Sequence, residues 1–398
     1  MKYRHLGKTG LKVSEIGFGA EWLQGKTLEE SKELIDYCHS EGVNFLDCWM
    51  SEPNVRTNIG IAIKDTREDW IIQGHFGSTW QDGQYVRTRE MDKVIPAFED
   101  FMERLQIDYL DFGMIHYVDE VEDFENIMNG EFIKYVRQQK EDGVIRHIGI
   151  STHSPTVALL ATEVEDIELI MFSINPAFDM LASINDIAVY IEDDTYKNKE
   201  LEGLAPERAE LYQVCKDKDI PLVVMKGYAG GRLLRDEDSP FGVALTPIQC
   251  IDYCLTRPAV ASIMVGANDV KEMEDAIAYE TASHKEKDYA SVLVNAPKNS
   301  YEGQCTYCGH CAPCTANINI AMVNKFYDLA RHHDEVPESI RAHYNDLMYN
   351  ASDCIACGNC EERCPFNVGI VESHGFLQPG ARVLQRDPAP DSGSQGRR

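Results

Sequence analysis

Between residues 1 and 280, short apolar runs alternate with longer stretches whose apolar positions recur every three or four residues. The runs Ile16–Gly19, Val43–Asp47, Trp70–Gln73, Tyr109–Ile115, Ile145–Ile150, Leu169–Ile174, Pro221–Met225 and Ala261–Val265 have the length of buried strands. The stretches that follow them predict helices over Leu28–Glu41, Asn54–Lys64, Arg89–Leu105, Phe132–Glu141, Ser154–Glu163, Pro206–Lys216, Pro247–Leu255 and Asp269–Ala278. Thr27 with Glu30 predicts a capping box at the first helix. Ahead of the series, residues 3–13 predict a hairpin turning at Lys8-Thr9-Gly10. Eight strand–helix units in succession predict an α/β fold closed as a parallel (β/α)8 TIM barrel. An open doubly wound sheet would want a Gly-rich phosphate loop after its first strand. Gly17-Phe18-Gly19-Ala20 instead runs into Glu21 and Trp22, and the open sheet is rejected.

One connection is long. Asn175 to Ala205 separates the sixth strand from its helix, and Glu192–Lys199 within it is strongly polar. Such a loop on a barrel's catalytic face is either a lid or pocket wall, or an insertion without function. The barrel is assigned to residues 1–285, a linker to 286–299 and a second, mostly helical domain to 300–376, with helices over Ile320–His332 and Pro337–Asn350. Residues 377–398, rich in Pro, Ser, Gly and Arg, are expected to be disordered.

Cysteine usage gives the second domain its chemistry. Cys354, Cys357, Cys360 and Cys364, followed by Pro365, have the spacing C-x2-C-x2-C-x3-C-P. At that spacing three thiolates hold one iron–sulfur cube and the fourth reaches its neighbour. Cys305, Cys308, Cys311 and Cys314 form a second run, whose last gap is two residues rather than three. Two 4Fe–4S clusters with crossed ligands are expected. Cys305, Cys308, Cys311 and Cys364 would hold one, and Cys354, Cys357, Cys360 and Cys314 the other. Zinc is the competing reading of paired C-x2-C, but zinc sites take four ligands, often with a His, and rarely four Cys from one run. Disulfides would want a secreted protein. Cys250 and Cys254, four apart on a predicted helix, read as core packing.

A formal charge of −28, from 66 acidic and 38 basic side chains, argues against binding to nucleic acid or to an anionic membrane. It suits a self-repelling soluble surface, or a docking face for a basic redox protein. Met1–His5 contains no apolar segment of a secretory signal, and no run of about 20 apolar residues is present to span a membrane. A cytoplasmic protein working at low oxygen is expected. Nothing in the sequence fixes an oligomeric state.

Barrel enzymes carry their chemistry at the C-terminal ends of the strands. Asp47 ends the second predicted strand, His75 follows the third and His116 the fourth. An Asp at an apolar strand end is costly without a partner. With two histidines at the same rim, a site is predicted there. Trp22, Trp49, Trp80 and Tyr117 follow the first four strands, as an aromatic pocket or as packing.

Residues 1–280 resemble the aldo/keto reductase family. The resemblance is carried by Tyr3–Gly10, Gly17-Phe18-Gly19, Gly42–Asp47, Ile148–Ser151 and Val265-Gly266-Ala267. With residues 300–370 the chain is similar to members bearing a C-terminal ferredoxin-type extension. The resemblance implies hydride transfer to a carbonyl carbon while a Tyr protonates the oxygen, helped by an Asp, a Lys and a His. Asp47 and His116 match the Asp and the His. Glu52 stands where the Tyr is expected and His75 where the Lys is expected, so the acid and the group that tunes it are both changed. Glu52, His75 and His116 become the candidate proton carriers. The resemblance also assigns Ser151, with Thr152 after it, to the nicotinamide, and Gly266 with Asn268 to the phosphate turn. Lys226 is a further candidate. Asp269 would repel a 2′-phosphate or cap the last helix, which favours NAD(H). Hydride carries two electrons and a cluster one. A flavin would bridge them, though no flavin motif is visible.

The expectation is an iron–sulfur oxidoreductase acting on a small carbonyl or hydroxyl compound. The alternatives are a lyase or dehydratase with structural clusters, and a non-catalytic electron-transfer or partner-binding subunit.

Overall fold

A computed structural model describes residues 1–181, 195–196, 203–331, 336 and 338–375. The expected tail, and the polar segment Glu192–Lys199 apart from Thr195 and Tyr196, lie outside them. The strands are β1 Tyr3–His5, β2 Lys12–Ser14, β3 Ile16–Gly19, β4 Phe45–Cys48, β5 Ile71–Phe76, β6 Ser78–Gln81, β7 Gln84–Arg87, β8 Leu110–Ile115, β9 Ile145–Thr152, β10 Ile167–Ser173, β11 Leu222–Met225 and β12 Val260–Val265. Eight of them, β3, β4, β5, β8, β9, β10, β11 and β12, close into a parallel barrel in that order. The predicted (β/α)8 barrel is the fold.

The local sequence explains the elements. β8 and β12 are buried along their whole length, as parallel strands covered on both faces must be. Thr27 and Glu30 close the expected capping box on helix Leu28–Ser40. Asp269 caps helix Val270–Ile277 by accepting from Glu272 N–H at 2.9 Å. β1 and β2 pair as the predicted antiparallel hairpin. Leu6 and Val13 from it pack with Phe45, Phe112, Leu169 and Val223 in the barrel bore.

Three features depart from the sequence reading. β5 runs on through Phe76, so His75 sits within the strand and not after it. A second hairpin, β6–β7, follows, with Trp80 opposite Tyr85 and Ser78 opposite Arg87. An extra helix spans Val121–Asn129.

The C-terminal module contains helices Ile320–Arg331, Glu338–Asn345, Asn359–Glu362 and Ile370–Gly375. Residues 286–299, expected as a linker, include helix Ala290–Val294. Tyr289 is buried there between Tyr253 and Phe366. Tyr301 donates to the carbonyl of Pro176 at 2.6 Å. Arg257, 2 % exposed, donates to the carbonyl of Thr306 at 2.7 Å and to Tyr289 Oη at 3.0 Å. One continuous apolar core runs from the barrel helices into the module.

Candidate active site and thiolate cavities

A cleft of about 540 Å³ opens at the C-terminal ends of the strands, within the range of small-molecule and cofactor sites. At one end stand Asp47, His75, His116, Tyr85 and Trp49. At the other stand Gly266, Asn268, Glu272 and Asp275. Lys226, Tyr228, Gly230 and Gly231 also line it. Non-glycine residues on its wall hold left-handed backbone, Tyr117 at φ 48° and Lys226 at φ 59°. Such strain gathers at functional sites.

An unbroken chain of hydrogen bonds crosses the first end. Asp47 Oδ1 accepts from Gln73 Nε2 at 2.7 Å and lies 3.0 Å from His75 Nε2. His75 Nδ1 is 2.8 Å from His116 Nδ1. His116 Nε2 is 2.7 Å from the hydroxyl of Tyr85. Asp47 is 2 % exposed and each histidine 6 %, while Tyr85 is half-buried. Trp49 lies flat against His116, with ring centroids 5.6 Å apart and planes 16° from parallel. Burial, followed by the charges of His75, Arg89 and Arg87, pushes His116 well below the usual imidazole range. Burial pushes Tyr85 up to about 12, against the pull of Arg87.

The β6–β7 hairpin is stapled to the rim. Ser78 Oγ donates to the Trp49 carbonyl at 2.6 Å and Ser51 Oγ to the Thr79 carbonyl at 2.7 Å. Arg87 donates to the Tyr117 carbonyl at 2.9 Å, and Arg89 to that of His116 at 2.8 Å. Tyr85 is thereby delivered from outside the barrel strands onto His116.

The other site candidates separate. Ser151, Lys226, Gly266 and Asn268 line the cleft. Ser151 Oγ accepts from Tyr117 N–H at 2.8 Å. Glu52 is not on the cleft wall. It occupies the N-cap of helix Pro53–Ile63 without making a side-chain cap bond. Thr152 is fully buried behind the wall and donates to Asp119 Oδ1 at 3.1 Å. Its neighbour His153 faces the cleft instead, held by Asp119 through Nδ1 at 2.9 Å. Of the expected aromatics, Trp22, Trp49 and Tyr117 line the cleft, and Trp80 does not.

Two small cavities lie in the module. One is lined by Cys305, Cys308, Cys311 and Cys364, the other by Cys314, Cys354, Cys357 and Cys360. These are the crossed sets. The thiols surround a space without converging on a point. Among the described residues no group of three or more Cys, His, Asp or Glu is disposed to hold a single metal ion. Backbone N–H groups of Ala316 and Ala356 point at Cys314 and Cys354 sulfurs, each at 3.4 Å. Cys308 is raised by burial but brought down to about 7 by His310 and the Arg257 charge. His374 is buried on the wall of the second cavity, and neither of its ring nitrogens has a hydrogen-bond partner among the described residues.

Comparison with known proteins bears directly on this arrangement. The profile of the Aldo/keto reductase family matches residues 15–246, more than half of the chain. The chain belongs to the aldo/keto reductase family. A 4Fe-4S binding domain profile matches residues 347–368. The uncharacterized oxidoreductase YqkF of Bacillus subtilis is 27 % identical over 290 residues, 70 % of this chain and 90 % of that one. A probable voltage-gated potassium channel subunit beta of Arabidopsis thaliana is 23 % identical over 301 residues, 69 % of this chain and 90 % of its own. Among solved structures, the holo form of aldo-keto reductase AKR11C1 from Bacillus halodurans superposes with a TM-score of 0.56 at 23 % identity, covering 72 % of this chain and 94 % of that one. The chain is thus an oxidoreductase of the aldo/keto reductase type that carries a 4Fe–4S binding motif.

Within this aldo/keto reductase, sequence reasoning missed Tyr85, His153, Glu272 and Asp275 at the cleft, and Gln73 buried behind Asp47. Asp82-Gly83 was the available signal for Tyr85, because that dipeptide between Trp80 and Tyr85 favours a tight hairpin. No helix of the described residues is long and apolar enough to cross a membrane.

Proposed function

We propose that the protein moves electrons between two 4Fe–4S clusters, a nicotinamide dinucleotide and a small carbonyl or hydroxyl compound held at the barrel mouth. The observation that carries this reading is one cleft of about 540 Å³ whose wall carries both the proton-handling groups and Gly266 with Asn268.

The residues present fit both cofactors. Eight thiols in two sets of four, each set ringing its own cavity, suit cubes rather than single ions. An orphaned buried imidazole on one wall suits a sulfur acceptor that a cluster would bring. For the dinucleotide, Gly230 and Gly231 leave backbone accessible, and the buried hydroxyl of Tyr228 has no hydrogen-bond partner among the described residues. Lys226 supplies a positive charge for phosphate, and Ser151 a hydroxyl beside the proton-handling groups. When bound, the dinucleotide supplies hydride chemistry and the clusters supply single electrons.

Glu272 and Asp275 on the wall, with Asp269 beside them, make the far end acidic. Glu272 accepts from the backbone N–H of Asn268 at 2.7 Å and from its side chain at 3.1 Å. Carboxylates there accept from ribose hydroxyls and repel a 2′-phosphate. NAD(H) is therefore the dinucleotide of choice.

The test is an anaerobic titration of the iron-loaded protein with NADH and NADPH, following binding and the visible iron–sulfur absorbance. NADH is expected to bind at least about tenfold more tightly, a difference of about 1.4 kcal/mol, and to bleach the clusters. Absence of binding by either dinucleotide refutes the reading.

A further inference from the structure

The family position for the acid is occupied by Glu52, which is not on the cleft wall, yet the cleft does contain a tyrosine hydroxyl at hydrogen-bonding distance from His116. We infer that Tyr85 is the residue that exchanges a proton with the substrate, backed by a relay through His116 and His75 to Asp47. This rests on the reading of the cleft as a carbonyl/alcohol site.

The relay has two complete settings on the same heavy atoms. In both, the Asp47 carboxylate accepts from His75 Nε2–H. In the first, both rings are neutral. His116 donates from Nδ1 to His75 Nδ1, and His116 Nε2 accepts from the Tyr85 hydroxyl. The Tyr85 oxygen then has a free lone pair for a hydroxyl in the cleft. In the second, one more proton is present. His75 is an imidazolium against Asp47 and donates from Nδ1 to His116, whose Nε2–H donates to the Tyr85 oxygen. The Tyr85 O–H is then released to donate into the cleft. Every hydrogen bond is kept in both settings, so switching needs proton hops and no reorientation of rings.

The proton balance closes. In alcohol oxidation, the substrate O–H proton moves to Tyr85 as the Tyr85 proton moves to His116 Nε2 and the His116 Nδ1 proton to His75. An oxidised nicotinamide dinucleotide, held beside Ser151 and Gly266, would supply the acceptor for the substrate C–H hydrogen and its electron pair, so that loss of both hydrogens leaves a C=O bond. In carbonyl reduction each transfer reverses, with Tyr85 as the acid. The buried Asp47 carboxylate stabilises the imidazolium in the charged setting.

Tyr85 is the member suited to meet substrate because it lines the cleft and is the most exposed of the four. His116, His75 and Asp47 are positioning residues. A hydroxyl with an ordinary structural role would need none of this aligned depth behind it.

Two measurements on the full, iron-loaded chain test the assignment with Tyr85→Phe, which removes the hydroxyl and keeps the ring. The first is nitrogen NMR of histidine-labelled protein. The His116 Nε2 signal is expected to shift in the variant and the His75 signal to follow it. Unchanged signals for both rings overturn the relay, whether or not a substrate is known. The second is NADH-dependent turnover of a panel of small aldehydes and ketones. A loss of about 10²–10⁴-fold is expected, with NADH affinity within about twofold of wild type, as for a group acting only in proton transfer. Wild-type turnover in the variant overturns the inference and leaves the oxidoreductase reading standing. A wild-type protein that neither binds NADH nor turns over any carbonyl overturns that reading, and the NMR result then judges the relay alone.

Discussion

Arg257 and Thr306 join the barrel to the cluster module through one hydrogen bond of 2.7 Å, from a fully enclosed guanidinium to a backbone carbonyl beside Cys305. The same guanidinium donates to the carbonyl of Tyr253 at 3.1 Å and to Tyr289. Arg257→Ala would strand these acceptors in a dry interface, at about 1–3 kcal/mol for each unsatisfied group. We predict a loss of about 3 kcal/mol in chemical denaturation, with faster release of iron from the module. Arg257→Lys should fall between, because an ammonium cannot reproduce the planar fork. Wild-type stability in Arg257→Ala would show that the joint is carried by the aromatic contacts.

The crossed thiols make a prediction about position. Cys364 lies in the second run but lines the first cavity. Cys364→Ser should therefore damage the cluster of Cys305, Cys308 and Cys311 and spare the other. Iron should fall from about eight to about four per chain. Cys357→Ser should damage the complementary cluster, and the paramagnetic spectra of the two reduced variants should differ. Identical residual spectra would show that the runs do not cross.

His374 belongs to the second cavity. A buried imidazole without partners costs about 1–3 kcal/mol, unless an acceptor arrives with the cofactor. An N–H donated to cluster sulfur stabilises the more negative, reduced state. His374→Leu should lower the midpoint potential of the Cys354-side cluster by the order of 59 mV, a tenfold change in a one-electron equilibrium. The other cluster should keep its potential. A redox titration in which both clusters are unmoved would exclude the hydrogen bond.

Glu168 gives an acid-stability prediction away from both sites. Burial raises its carboxyl, but His147 at 2.9 Å and Lys140 at 2.5 Å outweigh that and bring it down to about 2. A carboxyl with a depressed folded pKa adds stability above its unfolded value, about 4.3, and loses it as pH falls towards 2. With partial exposure the contribution is on the order of 2 kcal/mol. Glu168→Gln should be less stable than wild type at neutral pH, and the gap should close across that window. A constant gap at every pH would assign the loss to packing.

The barrel was legible in the chain because its strands are near-continuous apolar runs and its helices carry their caps in the sequence, as at Thr27 and Asp269. The thiol sets were legible because ligand spacing is a local property and the crossing follows from cube geometry. The proton-handling end was only half visible. Asp47, His75 and His116 sit on barrel strands or at their ends, where register predicts a shared rim. Tyr85 reaches them by a detour through a hairpin, and its approach is fixed by serine and arginine bonds to distant carbonyls that no periodicity encodes. Glu52 misled for the complementary reason. Its place in the sequence matched a family position, but at the N-cap of its helix the side chain does not reach the cleft. The far end was underread because Glu272 and Asp275 lie on a helix, outside the strand-end positions.

The exchange of Cys314 and Cys364 between the two runs also constrains how the protein is made. Cys305, Cys308 and Cys311 are synthesised well before their fourth partner, Cys364. Loaded as proposed, the cube of Cys314 waits for Cys360, and the cube of Cys305, Cys308 and Cys311 waits for Cys364. Iron insertion then waits on the second run, and a chain stalled between the runs would hold the thiols of the first run without the partners that either cube needs.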